Sequence, residues 1–366
     1  MGDTINVLID DLWAFLNRIF YLPLSFQLLI YISANLLLWL VSFSFLRLIK
    51  RPLDLSMKRW IFVSSVIVST VVGFLVVYDF RQFQAESNEK FMPAKIVTIG
   101  KGADSTFNNL VSNPTKTPAG QLNQTTSYIY NSDGIEIVQY QSKDPLAVAY
   151  IAAINLEKYE VVLDTAISVK ELTSKFSKRF NVDIAVNGEA GTTPGETAPL
   201  GQWIGTYVVD GKVILNKDNR NRPFIYFDKN MNGYYSHEDE VIKSFPEKIY
   251  NAIWGRFDLI RDGQLAISSR DGTQGNPYPR TIVGIDKSGR KAFLMIVDGR
   301  KPTHSLGMTM KECGEYLLKV GCYQAMACDQ GGSSVMYSKE LGIFTRPADG
   351  GERKTYSHLG FRKKTE

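Results

Sequence analysis

The sequence has few cysteines, few histidines and little excess of charge of either sign. Its three cysteines can form at most one pair, which excludes a disulfide-stapled secreted fold. The three histidines are scattered and show no His-x-x-x-His spacing, so a zinc site is not expected. Lysine and arginine number 42 against 37 acidic residues, and no basic stripe carries interleaved aromatics. We therefore expect no nucleic-acid partner.

Long apolar runs occur only in the first 80 residues. Residues 19–46 and 60–78 carry no charged side chain. A helix needs about 20 apolar residues to cross a bilayer. The sequence therefore predicts a transmembrane hairpin over 21–80, with spans at about 21–46 and 60–79. Residues 1–20 show helical spacing of apolar side chains and predict an amphipathic interfacial segment, or alternatively an extension of the first span.

The loop between the two runs is basic. It contains Arg47, Lys50, Arg51, Lys58 and Arg59 against one acid, Asp54. Excess lysine and arginine in a short loop marks the cytoplasmic side of a membrane. We therefore expect a protein of the cytoplasmic membrane with two spans and an extracytoplasmic domain. Its expected partners are the lipid bilayer and, through the hairpin, other proteins of a membrane complex.

The rest of the chain divides into a stalk and a folded domain. Residues 81–126 are polar and include a Ser/Thr/Asn/Pro-rich stretch typical of linkers. From residue 127, short strand-like runs alternate with Asp-Gly and Ser-Gly turns. Helical periodicity appears over 168–180, 240–254 and 309–320. The mixture predicts an α+β domain over 127–366, built on a mixed sheet.

Three strand-like runs end in acids, arginines and glycines. The first run ends in Asn187-Gly188-Glu189. The second begins at Arg280 and is followed by a hairpin that ends in Asp298-Gly299-Arg300. The third ends in Asp329-Gln330-Gly331-Gly332-Ser333. Glycines let backbone amides approach a ligand closely, arginine forks suit phosphate, and carboxylates act as acids, bases or nucleophiles. The alternative interpretation is structural, because such sequences also form hairpin turns and ion pairs.

The order of these motifs resembles that of the phosphodiester glycosidase family. The resemblance extends over about residues 126–366 and rests on Asn187-Gly188, Pro199-Leu200-Gly201, Pro279-Arg280-Thr281, Asp298-Gly299-Arg300, Ser305-Leu306-Gly307-Met308-Thr309, Asp329 with Gly331 to Ser334, and Arg346-Pro347 to Arg353. The chain departs from the family pattern at three positions, where it has Glu189, Ala327 and Gln330.

The resemblance implies a hydrolase that cleaves a sugar–phosphate diester at the anomeric carbon, with no organic cofactor. Its expected partner is a phosphate-linked glycan. Cleavage at this carbon builds oxocarbenium character, which a carboxylate stabilises or attacks. The predicted catalytic residues are Asp329, Asp298 and Glu189. The predicted substrate-binding residues are Arg280, Arg300, Asn187, Gly331, Gly332, Ser333 and His304. The alternative is a protein that kept the fold, lost catalysis, and binds carbohydrate or assists envelope assembly.

The segment 228–239 matches a calcium loop. It offers oxygen ligands at alternate positions, a glycine at the sixth and a carboxylate at the twelfth. The predicted ligands are Asp228, Asn230, Asn232, the carbonyl of Tyr234, Ser236 and Asp239, which would bind Ca²⁺ as the protein's cofactor. The alternative for the same segment is an Asn-Gly hairpin turn with an acidic flank.

Overall fold

The computed structural model describes residues 106–112, 115–116, 122–167, 169–189, 205–217, 222–237, 246–267 and 275–365. The predicted transmembrane hairpin, its amphipathic segment and most of the stalk lie outside these residues and stay predictions. Within the described ranges no helix is long and apolar enough to cross a membrane.

The described residues are mostly β-strand, with three short α-helices. The helices are α1 (Asn108–Ser112), α2 (Thr173–Phe180) and α3 (Met310–Lys319), and single 3₁₀ turns occupy Pro246–Lys248 and Gly331–Ser333. The strands are β1 (Thr115–Lys116), β2 (Leu122–Ser132), β3 (Ile135–Lys143), β4 (Leu146–Asn155), β5 (Tyr159–Val162), β6 (Ile184–Asn187), β7 (Gly205–Val209), β8 (Lys212–Lys217), β9 (Phe224–Phe227), β10 (Gly233–Ser236), β11 (Asn251–Trp254), β12 (Phe257–Arg261), β13 (Gln264–Leu265), β14 (Arg280–Asp286), β15 (Lys291–Asp298), β16 (Cys322–Ala327), β17 (Met336–Ser338), β18 (Gly342–Ile343) and β19 (His358–Lys363).

The strands form three sheets. The largest has nine strands in the order β1-β2-β3-β4-β15-β14-β16-β12-β13. The other two have five strands each, in the orders β10-β9-β11-β7-β8 and β18-β17-β6-β19-β5. Every strand pair in the described residues is antiparallel. The α+β expectation therefore needs two corrections: the domain is mostly β, and these sheets are not mixed.

The nine-stranded sheet lies between two hydrophobic cores. Along β4, Tyr150 and Ala152 face one core while Ala149 and Ile151 face the other. One core also contains side chains of β6, β9, β11 and β19, and the other contains the buried face of α3. Because both faces are covered, the central strands are almost wholly apolar rather than alternating.

Two of the three predicted helices form. Helix α2 begins five residues after the start of the predicted range, and α3 begins at a capping box in which Thr309 and Glu312 satisfy each other's backbone amides. The third prediction, over 240–254, is wrong for its last residues, because Asn251–Trp254 is a fully buried strand paired with Phe224–Phe227. Residues 240–245 lie outside the described ranges.

Candidate functional site

The predicted motifs converge where strand ends of two sheets meet. The N-terminus of β14 lies beside the C-termini of β15 and β16, as the pairing of Arg280 with Val297 and of Ile282 with Ala327 shows. The end of β6 joins them from another sheet, since the Asp329 amide donates to the Gly188 carbonyl at 3.2 Å. Residues more than 140 positions apart in sequence thus form one neighbourhood.

Asn187 holds this junction together. Its side chain is fully buried and donates through Nδ2 to the Asp329 carbonyl at 2.9 Å. Its Oδ1 accepts from the Thr281 hydroxyl at 2.8 Å and from the Val335 amide at 3.1 Å. All of its polar atoms are engaged with the protein. The structure therefore places Asn187 as a positioning residue for the Asp329 loop and not, as predicted, as a substrate ligand.

Glu189 is a fully buried acid with an unusual protonation equilibrium. Burial raises the pKa of its carboxyl to about 7, although Arg256 acts in the opposite direction. Arg256 donates to Oε1 from Nε at 2.8 Å and lies 2.6 Å away at Nη2. The second oxygen, Oε2, has no hydrogen-bond partner among the described residues. Glu189 can therefore hold a proton near neutral pH and has an oxygen from which to donate it.

Asp329 is the more accessible carboxylate of the pair. Its side chain is 15% exposed, and its Oδ1 accepts from the Gln330 amide at 3.0 Å. The same oxygen lies 4.0 Å from Arg256 Nη2, the nitrogen that also contacts Glu189. The two carboxylates are thus close enough to act on one glycosidic bond, which paired carboxylates do at separations of about 5 to 9.5 Å.

Arg256 was missed in the sequence. It follows Gly255, just after the 240–254 range whose periodicity predicted a helix, so nothing marked it as a neighbour of Glu189. The structure shows a strand there, and the Arg256 amide donates to the Ala327 carbonyl at 2.7 Å. A Cβ at Gly255 would lie only 2.9 Å from that same carbonyl oxygen. The glycine that permits this close approach was the available signal.

Arg280 is bonded to the protein through all three of its guanidinium nitrogens. It is fully buried, and its Nε and Nη2 donate to the carbonyls of Met308 at 3.0 Å and Asn276 at 2.8 Å. Its Nη1 donates to the side-chain oxygen of Gln330. These bonds use one N–H of each guanidinium nitrogen, and the predicted role in phosphate binding stays a prediction. Gln330, a departure from the family pattern, links this buried cation to the residue next to Asp329.

Arg300 remains available for a phosphate. It is half-buried, adopts a positive φ of 57°, and stacks 4.4 Å above the Tyr278 ring while contacting the Tyr278 hydroxyl. Its Nε is buried and has no hydrogen-bond partner among the described residues. A Cβ at Gly331 would lie 3.3 Å from Arg300 Nη2, so the glycine keeps this guanidinium beside the Asp329 loop.

Asp298 and His304 form a second acid-containing pair. The Asp298 side chain is 2% exposed, and its Oδ2 accepts from His304 Nε2 at 2.8 Å. Its Oδ1 accepts from the Arg346 amide at 2.8 Å. Burial raises the pKa of Asp298, while His304 acts to lower it. With both oxygens bonded to the protein, Asp298 orients His304 and is not placed to attack a sugar as predicted.

The glycine turn after Asp329 is only partly free for a ligand. The Gly331 amide donates to the Pro279 carbonyl at 3.1 Å, so its predicted contact with phosphate needs correction. A side chain at Gly332 would collide with the Asp349 carboxylate. The Ser333 hydroxyl is buried and has no hydrogen-bond partner among the described residues. Gly332 and Ser333 stay predicted ligands.

The segment proposed to bind calcium is a tight hairpin between β9 and β10. Asp228 Oδ1 accepts from the amides of Asn230 and Asn232 at 2.8 and 2.9 Å, and Oδ2 accepts from Asn232 Nδ2 at 2.7 Å. Tyr234 donates to the same carboxylate at 3.4 Å. These bonds form a turn over residues 228–232 around the Asp228 side chain, with Met231 at a positive φ of 63° and Gly233 already in β10.

The remaining calcium ligands do not join Asp228. Ser236 pairs with Phe224 in β10, three residues beyond Gly233, or about 10 Å along the strand. Asp239 lies outside the described residues. In the described part of the chain, no group of three or more His, Cys, Asp or Glu side chains is arranged to hold a metal ion. Calcium binding stays a prediction, without the convergence of Asp228 and Ser236.

Comparison with known proteins places these motifs in context. The profile of the family described as phosphodiester glycosidase matches residues 180–362, half of the chain. No curated protein sequence matches the chain. The catalytic domain of zebrafish N-acetylglucosamine-1-phosphodiester alpha-N-acetylglucosaminidase, auto-inhibited by its pro-peptide, is similar in fold, with a TM-score of 0.51 and 19% identity over 76% of this chain and 99% of that one. A hypothetical protein from Synechocystis is similar with a TM-score of 0.53 and 9% identity, over 66% of this chain and 64% of that one.

Proposed function

The chain belongs to the phosphodiester glycosidase family, and on this premise we propose that it hydrolyses a sugar-1-phosphodiester. The observation that carries the proposal is the pair of carboxylates, Glu189 and Asp329, whose oxygens lie 2.6 and 4.0 Å from one nitrogen of Arg256. The pair lies beside Arg300, whose guanidinium has a nitrogen without a protein partner among the described residues. This reaction needs a proton donor, a carboxylate that stabilises positive charge on the sugar, and a cation that binds the phosphate.

The two carboxylates, Glu189 and Asp329, have different roles in the proposed reaction. Glu189, with a pKa of about 7, can donate a proton to the oxygen that joins the sugar to phosphorus. The C1–O bond then breaks, its electron pair leaves on the phosphate, and Asp329 stabilises the positive charge that develops on the ring. Water adds its oxygen to C1 and gives up a proton to the Glu189 carboxylate, which restores the acid and releases free sugar and a phosphomonoester. Arg300 holds the diester's negative charge throughout.

The substrate we propose is a phosphate-linked glycan or its precursor outside the cytoplasmic membrane. The support is in the sequence: two charge-free runs of spanning length and a basic loop between them. External protease added to spheroplasts should then digest the domain after residue 80 and spare the 47–59 loop. Protection of the domain would contradict this topology.

The test of the activity is the release of free sugar from a synthetic N-acetylglucosamine-1-phosphodiester by the full chain in detergent. Glu189→Gln should lower kcat by two orders of magnitude or more. Glu157→Gln, an exposed acid in a turn far from the site along the chain, is the matched control and should leave kcat unchanged. No release by the wild-type chain from a panel of sugar-1-phosphodiesters would contradict the proposal.

The alternative is a protein that binds a phosphoglycan without cleaving it. The departures at Ala327 and Gln330 are what favour it. In the structure, however, the Ala327 side chain packs in the core beside α3, and Gln330 is accommodated by Arg280. Binding of the diester without turnover, measured by calorimetry, would support this alternative.

A further inference from the structure

A cationic groove lies beside the N-terminal half of α2. It has a volume of about 500 Å³ and is lined by four cations and two acids: Lys170, Lys175, Arg179, Lys354, Asp164 and Glu171. Val169, at 55% exposure the most exposed of the large hydrophobic side chains among the described residues, also lines it. The groove is thus concave and mainly positive, with an apolar wall.

The two acids of the groove are already neutralised. Arg179 forms ion pairs with both Asp164 and Glu171. Lys170 and Lys175, by contrast, make no ion pair with a carboxylate within the described ranges. The Lys170 ammonium lies 5.0 Å above the Tyr356 ring, which holds it at the groove wall. Lys170 and Lys175 therefore supply positive charge that no acidic side chain of the described residues pairs with.

The groove and the Glu189–Asp329 site share one segment of chain, residues 349–357. At one end of this segment the Asp349 carboxylate lies against Gly332, and at the other end the Ser357 hydroxyl donates to the Glu189 carbonyl at 2.8 Å. Three residues before Ser357, Lys354 lines the groove. Three residues span at most about 10 to 11 Å. The backbone of Lys354 therefore lies within that distance of Ser357, which contacts Glu189.

We propose that the groove binds a further phosphate of a polymeric phosphate-linked glycan whose cleaved bond lies at Glu189 and Asp329. This rests on the function proposed above. Each phosphodiester of such a polymer carries one negative charge, which Lys170 and Lys175 meet, while Val169 and Leu172 offer an apolar wall to the sugar ring. A bilayer surface is a poorer fit, because the charges line a concavity and not a flat face.

The test compares a monomeric with a polymeric substrate. With the full chain in detergent, Lys170→Ala/Lys175→Ala should raise the KM for an oligomer of phosphodiester-linked sugars by about 3- to 10-fold, since two charge contacts are lost. The kcat for the oligomer and the kcat/KM for a single sugar-1-phosphodiester should not change. Lys170→Arg/Lys175→Arg should retain the wild-type KM. The matched control, Lys212→Ala/Lys229→Ala, removes two exposed lysines of another sheet and should have no effect.

The outcomes separate this proposal from the one it rests on. If neither substrate is cleaved, the proposed activity fails, while calorimetry with the intact oligomer still tests the groove through the affinity lost in the Ala/Ala variant. An unchanged oligomer KM and affinity in that variant would overturn the groove proposal even if the monomer is cleaved. The groove proposal would also be overturned if the Ala/Ala variant lost binding to vesicles of anionic phospholipid while its KM and affinity for the oligomer stayed unchanged.

Discussion

Two acid clusters lie at the same end of the central sheet, and they differ in how fully their oxygens are used. Asp298 has one oxygen on His304 and the other on the Arg346 amide. In the other cluster, Glu189 Oε2 has no hydrogen-bond partner among the described residues, and Asp329 is partly exposed. A buried carboxylate whose bonds are all made within the protein fixes geometry, whereas one that keeps an oxygen without a hydrogen-bond partner, or is partly exposed, can exchange a proton or meet a substrate. The sequence motifs alone predicted catalytic acids in both clusters.

The comparison predicts its largest effect at Asp329. Asp329→Asn keeps the shape of the side chain and removes the charge that would stabilise the oxocarbenium-like transition state. We expect kcat to fall by about two to three orders of magnitude while the thermal unfolding temperature stays within a few degrees. Single-turnover kinetics and circular dichroism measure the two quantities. A variant that keeps more than a tenth of the wild-type kcat would remove Asp329 from the chemistry.

Arg256 tests the proton assigned to Glu189. Arg256 lowers the pKa of Glu189 against the larger effect of burial, so Arg256→Gln should raise that pKa further above 7. An enzyme that needs Glu189 protonated loses activity as the pH rises through this pKa. The alkaline limb of kcat/KM should therefore lie near pH 7 in the wild type and move to higher pH in the variant.

The control for Arg256 is Arg261→Gln, which removes an exposed arginine from the end of β12. Its pH profile should match that of the wild type. A limb that stays in place in Arg256→Gln would show that Glu189 is not the proton donor.

A smaller effect is expected at Asp298. Asp298→Asn keeps an oxygen for the Arg346 amide but replaces the acceptor of His304 by an amide, so the histidine loses one charge-assisted hydrogen bond. We expect the KM for a sugar-1-phosphodiester to rise by about tenfold with little change in kcat. A fall in kcat as large as that of Asp329→Asn would erase the difference between the two clusters.

How much of this site was predictable depends on which contacts are local. The motifs around Glu189 and Asp329 could be located because strand-like runs end in glycines and acids, a pattern within a few residues. The burial of Arg280 could not, since its acceptors include the carbonyl of Met308, 28 residues away. Arg256 was hidden because Asn251–Trp254 has apolar residues at spacings that suit a helix as well as a buried strand.

The fold shows the same division. Turn signals and apolar runs predicted strands such as β3, β4, β14 and β15, yet the order of the nine-stranded sheet places β15 beside β4 and β14 next to β15, and no local pattern encodes that order. The expectation of a mixed sheet was wrong because strand direction is set by tertiary pairing, which no local pattern in the sequence reveals. The continuous apolar character of β4 was informative, because it required cover on both faces.

The smallest effect concerns a third acid, Asp228. Its carboxylate accepts hydrogen bonds from the amides of Asn230 and Asn232, the Asn232 side chain and the Tyr234 hydroxyl. Because both of its oxygens are bonded within the protein, like those of Asp298, we expect its role to be structural. Asp228→Ala should lower the free energy of unfolding by about 1 to 2 kcal/mol, the cost of losing the acceptor for turn amides. The loss should be the same in EDTA and in millimolar calcium, as measured by urea denaturation. Asn230→Ala, an exposed position of the same turn, is the matched control and should cost less. If calcium instead stabilises the wild type and has no effect on Asp228→Ala, the carboxylate is a metal ligand and the turn's own bonds are those of the empty site.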